Sequence, residues 1–260
     1  MNEGASKPEK KTPPRVNQRK RRGHKQQQGQ AAQSATAVLE PAAAQPKRAV
    51  KSVRQLDPEA FRQVDLMIGS FAQRRFANLM PKVAAGFFGA ARGDEPKHPE
   101  LQQAFALYFV YGYRDQQGLR IVDMFERFGL SLDREQKRVL EACKRARLVV
   151  FQLQRTNPAN KQLLGLDILR GIPMTALDQN AFERTSPGDV LIAYMFPVGD
   201  LWRPLGLATK VSRAKVNALR AGLAQLANEQ GFAPAELPER RPAQVFWVGY
   251  RSADYNLRTA

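Results

Sequence analysis

The residues best suited to binding chemistry in this sequence are the lysines and arginines in its first 54 positions. This segment holds 13 Lys or Arg and 3 Asp or Glu, a net charge of +10 out of +17 for all 260 residues. Such side chains neutralise phosphates and release the counterions of a nucleic acid. The candidate phosphate-binding residues are Lys10, Lys11, Arg15, Arg19, Lys20, Arg21, Arg22 and Lys25. We therefore predict that this segment captures an anionic polymer, RNA or DNA.

The same segment lacks what a folded core needs. Residues 1–54 contain no aromatic residue and few large aliphatic ones. They cannot bury enough apolar surface to offset their ordering entropy, so we predict a disordered basic arm and linker. Its field would also attract ribosomes, anionic membranes and acidic proteins. A solubilising tail is the alternative interpretation.

Two further groups of cations fall on predicted helices in the rest of the chain. Arg213, Asn217 and Arg220 share one face of a helix that should begin at Ser212, with Lys210 just before it. The second group consists of Arg134, Lys137, Arg138, Lys144 and Arg145. Such stripes can meet phosphates or can simply be solvated helix faces. Arg213 and Arg220 are added to the candidate nucleic-acid-binding residues.

Groups suited to catalysis are sparse. The two histidines are His24 and His98, and neither lies near a Gly-x-Ser-x-Gly elbow. No glycine loop ends in Lys-Ser or Lys-Thr, as a phosphate-binding loop would. A carboxylate and arginine site around Asp167, Asp189 and Arg203 is what remains for an enzyme. We predict no catalytic residue, no metal site and no cofactor, and keep that site as a third hypothesis.

Other reactive or aromatic side chains have simpler structural explanations. Cys143 is the single cysteine, which excludes an internal disulfide and a multi-cysteine zinc site. It falls on the apolar face of a predicted helix, so we predict a buried thiol. Asp123 and Glu126, one helical turn apart, are expected on an exposed helix surface. The aromatic residues of 105–113 have helical spacing and should pack in the core, with base stacking as the alternative.

The hydrophobic periods divide the chain after the arm into two parts. Over 55–147 they predict helices, the first from Asp57 to about Met80. The period changes to two at Leu148, and short turns between strands favour antiparallel pairing. We predict an α+β fold, with a disordered basic N-terminal arm, a helical N-terminal half, a small antiparallel β-sheet or half-barrel, and a C-terminal helix.

The β part, 148–260, should pack with 55–147 as one body. Its strand 201–210 is predicted to be broken by Pro204, and a helix should run from Ser212 to Gly231. We expect the proline-rich stretch 232–242 to be a loop and 245–250 to be a strand or a docked tail.

The sequence holds no run of about 20 apolar residues and no secretory signal at its start. We therefore expect no membrane span and a cytoplasmic location, compatible with association with the nucleoid or the ribosome. The sequence carries no signal of an oligomeric state.

Five short segments and two single residues follow one another in a familiar order. They are residues 109–114, 124–128, 149–151, 166–171 and 186–191, then Trp202 and Gly206. This order resembles a family of poorly characterised bacterial proteins, many of which carry a C-terminal SEC-C zinc motif like that of the SecA translocation motor. That motif, three cysteines and a terminal Cys or His, is absent here. The resemblance therefore implies neither a zinc or adaptor function nor any catalytic residue.

The leading hypothesis is thus a non-enzymatic binding protein whose arm captures RNA or DNA. The alternative is a protein–protein interaction module with the arm as a solubilising tail.

Overall fold

A computed structural model describes residues 56–89, 97–128, 131–253 and 255–258 of the chain. The predicted arm, with its eight candidate phosphate-binding residues, lies outside the described residues. The described part contains helices and one β-sheet, which confirms the predicted α+β class.

The first half of the described chain is helical. Its helices are α1 (Pro58–Phe76), α2 (Met80–Phe88), α3 (Pro99–Leu107), α4 (Ile121–Phe125) and α5 (Arg134–Lys144). The Asp57 carboxylate accepts a hydrogen bond from the Glu59 N–H at 3.0 Å and so caps α1. The predicted end of this helix at Met80 is wrong, because α1 ends at Phe76. Pro81 lies in the first turn of α2, where its missing N–H costs nothing.

The second half is built on a six-stranded sheet. Its strands are β1 (Arg147–Asn157), β2 (Gln162–Asp167), β3 (Ile172–Leu177), β4 (Val190–Val198), β5 (Leu201–Val211) and β6 (Tyr255–Arg258). The strand order is β3-β2-β1-β4-β5-β6, with antiparallel neighbours. A parallel pairing of Ala176 with Trp202 joins β3 to β5 and closes a five-stranded barrel. The predicted half-barrel is confirmed, in closed form.

The strand β4 separates two apolar cores and is buried along its whole length. Leu191, Ala193 and Met195 face the barrel interior, where they meet residues such as Phe151. The alternate residues of β4 face the helices and belong to a larger core shared with α1 to α5. This double burial explains why the sequence of β4 is apolar on both faces.

The C-terminal part of the chain is more helical than predicted. Its helices are α6 (Gln179–Arg184), α7 (Val216–Gln230), α8 (Leu237–Arg240) and α9 (Pro242–Ser252). The predicted loop 232–242 is therefore wrong where α8 and the start of α9 lie, and 245–250 is a helix and not the predicted strand. Its side chains are buried in the core, which agrees with the alternative of a docked tail. Pro238 and Pro242 occupy the first turns of helices instead of breaking them. The Trp247 indole N–H donates to the Phe87 carbonyl at 2.6 Å and ties α9 to α2.

The predicted break at Pro204 is also wrong, since β5 continues through it. Between Ala193 and Met195 the register of β4 against β5 shifts, and Gly206 adopts a φ of +61° there. This β-bulge accommodates Pro204, which has no N–H to donate to the ladder.

Of the helices in the described ranges, none combines the length and the apolar character that crossing a membrane would require.

Candidate anion-binding site

An open groove of about 560 Å³ lies beside α5, and we call it the α5 groove. It is lined by Leu56, Arg134, Lys137, Arg138, Glu141, Ala142, Arg145, Pro197, Val198 and Gly199. The charged residues recur at spacings of three and four, so they form one stripe along the helix. This is the helix on which the sequence predicted a second basic group.

Two charged residues of this stripe, Arg138 and Glu141, are neutralised by ion pairs. Arg138 pairs with Glu135 at 2.5 Å, and Lys144 pairs with Glu141 at 3.0 Å. The exposed residues Arg134, Lys137 and Arg145 take part in no ion pair in the described part of the chain. The α5 groove therefore keeps an excess of positive charge.

The candidate residues Arg213 and Arg220 do not line the α5 groove. Arg213 precedes α7, its N–H donates to the Asp189 carboxylate at 3.0 Å, and its side chain passes Gly188. Arg220 donates to the Gln152 side chain at 2.8 Å. Both arginines are exposed. Lys210 lies in β5, in agreement with the predicted strand 201–210, and pairs with Asp189 at 3.1 Å.

A smaller pocket of about 210 Å³ lies where the end of α5 meets β1, and we call it the donor pocket. Its lining is Tyr111, Gly112, Arg114, Arg120, Lys144, Arg145, Ala146, Arg147, Leu148, Tyr194, Pro238 and Glu239. Five of these residues are cationic and one is acidic. Arg145 also lines the α5 groove, so the two sites adjoin.

One wall of the donor pocket is a π-helical turn, Tyr108–Gly112, in which the Tyr113 N–H donates to the Tyr108 carbonyl at 2.7 Å. Such turns are frequent at functional sites. A Cβ atom on Gly112 would lie 2.1 Å from the Tyr194 hydroxyl oxygen. Gly112 is therefore required for Tyr194 to reach this wall.

Arg120 fixes the junction of α4, α5 and β1. Its guanidinium donates to both oxygens of Asp123, at 2.8 and 2.7 Å, to the Ala146 carbonyl at 2.8 Å and to the Lys144 carbonyl. Burial opposes the ionisation of Asp123, but hydrogen bonds from Arg120 outweigh it and lower the pKa of this carboxyl. Because its donors are used internally, Arg120 positions the pocket wall.

Four buried side-chain atoms of the described residues have no hydrogen-bond partner, and three of them belong to residues that line the donor pocket. They are the hydroxyls of Tyr111 and Tyr194, Nε of Arg147 and Nη2 of Arg170. Arg170 does not line the pocket, and its Nη2 forms an ion pair with Glu239 at 3.7 Å. All four can donate, and a buried polar group left without a partner costs about 1–3 kcal/mol.

Burial shifts the pKa values of the tyrosines and of Arg147 in this region. Burial raises the pKa of both tyrosines, so their hydroxyls stay protonated and remain donors. The Cys143 thiol, a weak hydrogen-bonding group, also interacts with the Tyr111 hydroxyl. Burial lowers the pKa of Arg147 and the positive charge of Arg170 lowers it further, whereas the carboxylates of Asp167 and Glu239 act in the opposite direction. Arg170 is itself paired with Asp167 at 2.7 Å.

The residues of the carboxylate and arginine hypothesis are held in separate contacts. Asp167 is fully buried and pairs with Arg170 at 2.7 Å, whereas Asp189 pairs with Lys210 at 3.1 Å. Asp189 directly precedes β4, while Arg203 pairs in register with Phe196 near the other end of that strand. Asp189 and Arg203 therefore lie near opposite ends of β4, and Asp167 and Asp189 each have a different cation as partner.

The remaining candidates have structural roles. Cys143 is buried, as predicted, and burial raises the pKa of its thiol to about 12. Phe105, Phe109 and Tyr111 pack in the helical core. Asp123 and Glu126 are not a free surface pair, because they bind Arg120 and Lys144. Within the described ranges no three His, Cys, Asp or Glu side chains cluster as metal ligands would.

Sequence reasoning missed the donor pocket. Its lining includes positions 111, 144, 147 and 194, which lie on four different elements. The available signal was Tyr194, the one hydroxyl in the apolar run of β4. An isolated polar group in a fully buried strand needs a partner.

No protein-family model matches this chain, and no curated protein or solved structure is similar to it.

Proposed function

We propose that this protein is a non-enzymatic binding protein that captures RNA or DNA through its basic arm and the α5 groove. The observation that carries the proposal is a set of three exposed cations in that groove, Arg134, Lys137 and Arg145, which form no ion pair with another described residue. Leu56, the second residue after the predicted arm, lines the same groove. Arm and groove would therefore act on one polyanion, and the tether would raise the effective concentration of each for the other.

The dimensions of the stripe suit a polymer. Eleven residues separate Arg134 from Arg145, which corresponds to about 16 Å along a helix. One strand of a nucleic acid carries a phosphate about every 3.4 Å, so the stripe spans roughly five phosphates. We propose a cytoplasmic location with nucleoid or ribosome association, where such polymers are abundant.

A salt titration of nucleic-acid affinity tests the proposal with the full-length chain. In one variant the eight arm cations named above are changed to Gln, and in a second Arg134→Gln and Lys137→Gln are combined. Each neutralised phosphate adds about −0.9 to the slope of log K against log salt on duplex DNA. We expect the groove variant to lose up to roughly 2 from this slope and the arm variant to lose more.

The matched control is Lys82→Gln combined with Lys161→Gln, two exposed cations outside both sites. The control removes the same charge as the groove variant, and its slope of log K against log salt should stay steeper than that of the groove variant. Slopes that are equal for the groove variant, the control and the wild type would contradict the role of the groove. An unchanged arm variant would contradict the role of the arm.

The second candidate function is a protein–protein interaction module. One observation favours it: an apolar groove of about 460 Å³ on α1 exposes Leu66 and Phe128, at 63% and 47% of their surfaces. Arg74 and Arg75 also line it. A pull-down after nuclease treatment separates the two functions. A partner that survives the nuclease and is lost on Leu66→Asp would favour this second function.

A further inference from the structure

The apolar groove on α1, which we call the α1 groove, follows that helix along two neighbouring rows of side chains. Its lining consists of Leu66, Met67, Ser70, Phe71, Arg74, Arg75 and Phe128. Positions 66, 70 and 74 form one row and positions 67, 71 and 75 form the next, because residues four apart share a helix face. The rows extend over about nine residues, or roughly 13 Å along the helix axis.

The α1 groove exposes apolar side chains that the described chain does not cover. Leu66 and Phe128 keep 63% and 47% of their surfaces exposed. Beneath them, the ring centroid of Phe71 lies 5.1 Å from that of Phe128 and 5.4 Å from that of Phe125. Single exposed hydrophobic residues are ordinary, but a group of them in one groove is typical of a surface that docks a partner.

The charge of the α1 groove is positive and lies at one end. Arg74 and Arg75 are in the last turn of α1, and the lining contains no acidic residue. Arg74 donates from Nε to the Ser70 carbonyl at 3.3 Å, and the Arg75 guanidinium lies over the Phe128 ring, 4.9 Å from its centroid. Neither arginine forms an ion pair with another described residue, so an occupant that supplies carboxylates at this end would be favoured.

The same charges disfavour two possible occupants from this chain itself. Residues 1–54 carry a net charge of +10, so two exposed arginines repel the predicted arm. A second copy of the chain brings a net charge of +17 and is repelled as well. The occupant that complements the groove is therefore an acidic partner.

A peptide suits the α1 groove better than a nucleic acid does. Interfaces with nucleic acids are more polar and more positive than those between proteins, whereas four of the seven lining residues here are apolar and two are cationic. Arg75 already covers one face of the exposed Phe128 ring, which limits the stacking of bases on it. A peptide helix lying along α1 would instead bury the exposed surfaces of Leu66 and Phe128.

We propose that the α1 groove binds an acidic amphipathic helix of a partner protein. Its apolar side chains would pack on Leu66, Met67 and Phe128, and carboxylates at one end would pair with Arg74 and Arg75. Anchors at positions i, i+3 or i+4 and i+7 of such a helix span about 10 Å, which lies within the length of the groove. This assignment rests on the second candidate function, the interaction module, and does not require the nucleic-acid function.

A peptide-display selection on the full-length protein tests the proposal. The library contains random peptides of about 16 residues, because shorter isolated helices are marginal in water. We expect enrichment of peptides that carry apolar residues at helical spacing and a group of Asp or Glu at one end. The Kd of the enriched peptides is then measured by fluorescence anisotropy at low and at high salt.

One variant measures the apolar contribution. Leu66→Ala removes an exposed side chain from the groove and should weaken the Kd of the enriched peptides about tenfold. The matched control is Ile172→Ala, because Ile172 is also exposed, at 40%, and lies outside the lining. It should leave Kd unchanged.

A second variant measures the contribution of charge. Arg74→Gln combined with Arg75→Gln should weaken Kd about fivefold at low salt and reduce its salt dependence. Lys82→Gln combined with Lys161→Gln removes the same charge outside the groove and should change Kd by less than about twofold. Because Leu66, Arg74 and Arg75 are exposed, both groove variants should keep the Tm of the wild type.

The possible failures are distinguishable. Enriched peptides that are neutral or basic but lose affinity on Leu66→Ala would overturn the acidic partner and leave the interaction module standing. Enriched peptides that bind wild type and Leu66→Ala equally would remove the groove as a docking site, and with it the support for the second candidate function. A single-stranded oligonucleotide that displaces the peptides would assign the groove to a nucleic acid. Self-association of the wild type that is lost on Leu66→Ala would assign it to a second copy.

Discussion

The two faces of β4 are equally buried but differ in how their polar groups are treated. Toward the barrel interior, Leu191, Ala193 and Met195 are apolar and need no hydrogen-bond partner. Toward the helices, Tyr194 is 6% exposed and its hydroxyl has no partner in the described chain. The barrel face of β4 is entirely apolar, whereas the helix face carries a hydroxyl without a hydrogen-bond partner beside the donor pocket. Burial alone therefore does not separate scaffold from site, but hydrogen-bond satisfaction does.

The largest effect on stability should come from the barrel interior, which the apolar face of β4 helps to form. Phe151→Ala removes a fully buried ring from the barrel interior, and we expect it to lower the free energy of unfolding by about 3–5 kcal/mol. Urea denaturation measures the loss. Gln154→Ala, at an exposed position of the same strand, is the control. A loss of only about 1 kcal/mol would mean that the interior is loosely packed.

The next effect concerns the room left for Tyr194. Gly112→Ala places a methyl group 2.1 Å from the Tyr194 hydroxyl oxygen and should cost about 1–3 kcal/mol of stability. Combining it with Tyr194→Phe should recover part of that loss, because the nearest clashing atom is gone. Gly86→Ala is the control, since a Cβ atom there meets nothing within 4 Å. Additive losses in the double variant would contradict this close approach.

A smaller effect, of opposite sign, should follow from removing the unpaired hydroxyl itself. Tyr194→Phe should stabilise the ligand-free protein by about 1 kcal/mol, because a buried donor without a partner is lost. The midpoint of urea unfolding in phosphate-free buffer measures it. A lower midpoint for Tyr194→Phe would show that the hydroxyl has a hydrogen-bond partner. Neither face of β4 would then carry an unsatisfied polar group.

The smallest effect concerns Cys143, which lies in the same helical core. Its thiol has a pKa of about 12 when folded, against 9.0 for the free group, so thiol reagents at pH 8 should not modify the folded chain. In urea, the single cysteine should react completely. Above pH 9 the unfolded chain releases this proton and the folded chain does not, so stability should fall as pH rises. Rapid labelling of the folded protein would contradict this burial.

The sequence predicted those parts of the fold that depend on local periodicity. The Asp57 cap, the change of period near Leu148 and the doubly apolar run of β4 led to the α+β class and to the half-barrel. The sequence-based prediction was wrong at prolines, because proline is common both in loops and in the first turn of a helix. The proline-rich composition predicts a loop at Pro238 and Pro242, but tertiary packing of α8 and α9 places them in first turns.

The donor pocket was beyond sequence reasoning for a different reason. Its donors are up to 83 positions apart, from Tyr111 to Tyr194, and nothing local indicates that they meet. The exposed cations of α5 could be predicted, because helical spacing alone places them on one face. Which of them stay unpaired depended on acids at Glu135 and Glu141, on that same helix.

The edge of β5 is shared by two strands. β3 meets it at Trp202, and β6 covers it from Leu207 to Lys210. A chain cut before Tyr255 would therefore leave the amides and carbonyls of that stretch without a ladder. Open strand edges recruit other chains. Shortened versions of this protein should consequently self-associate, and affinity tags are better attached away from the last strand.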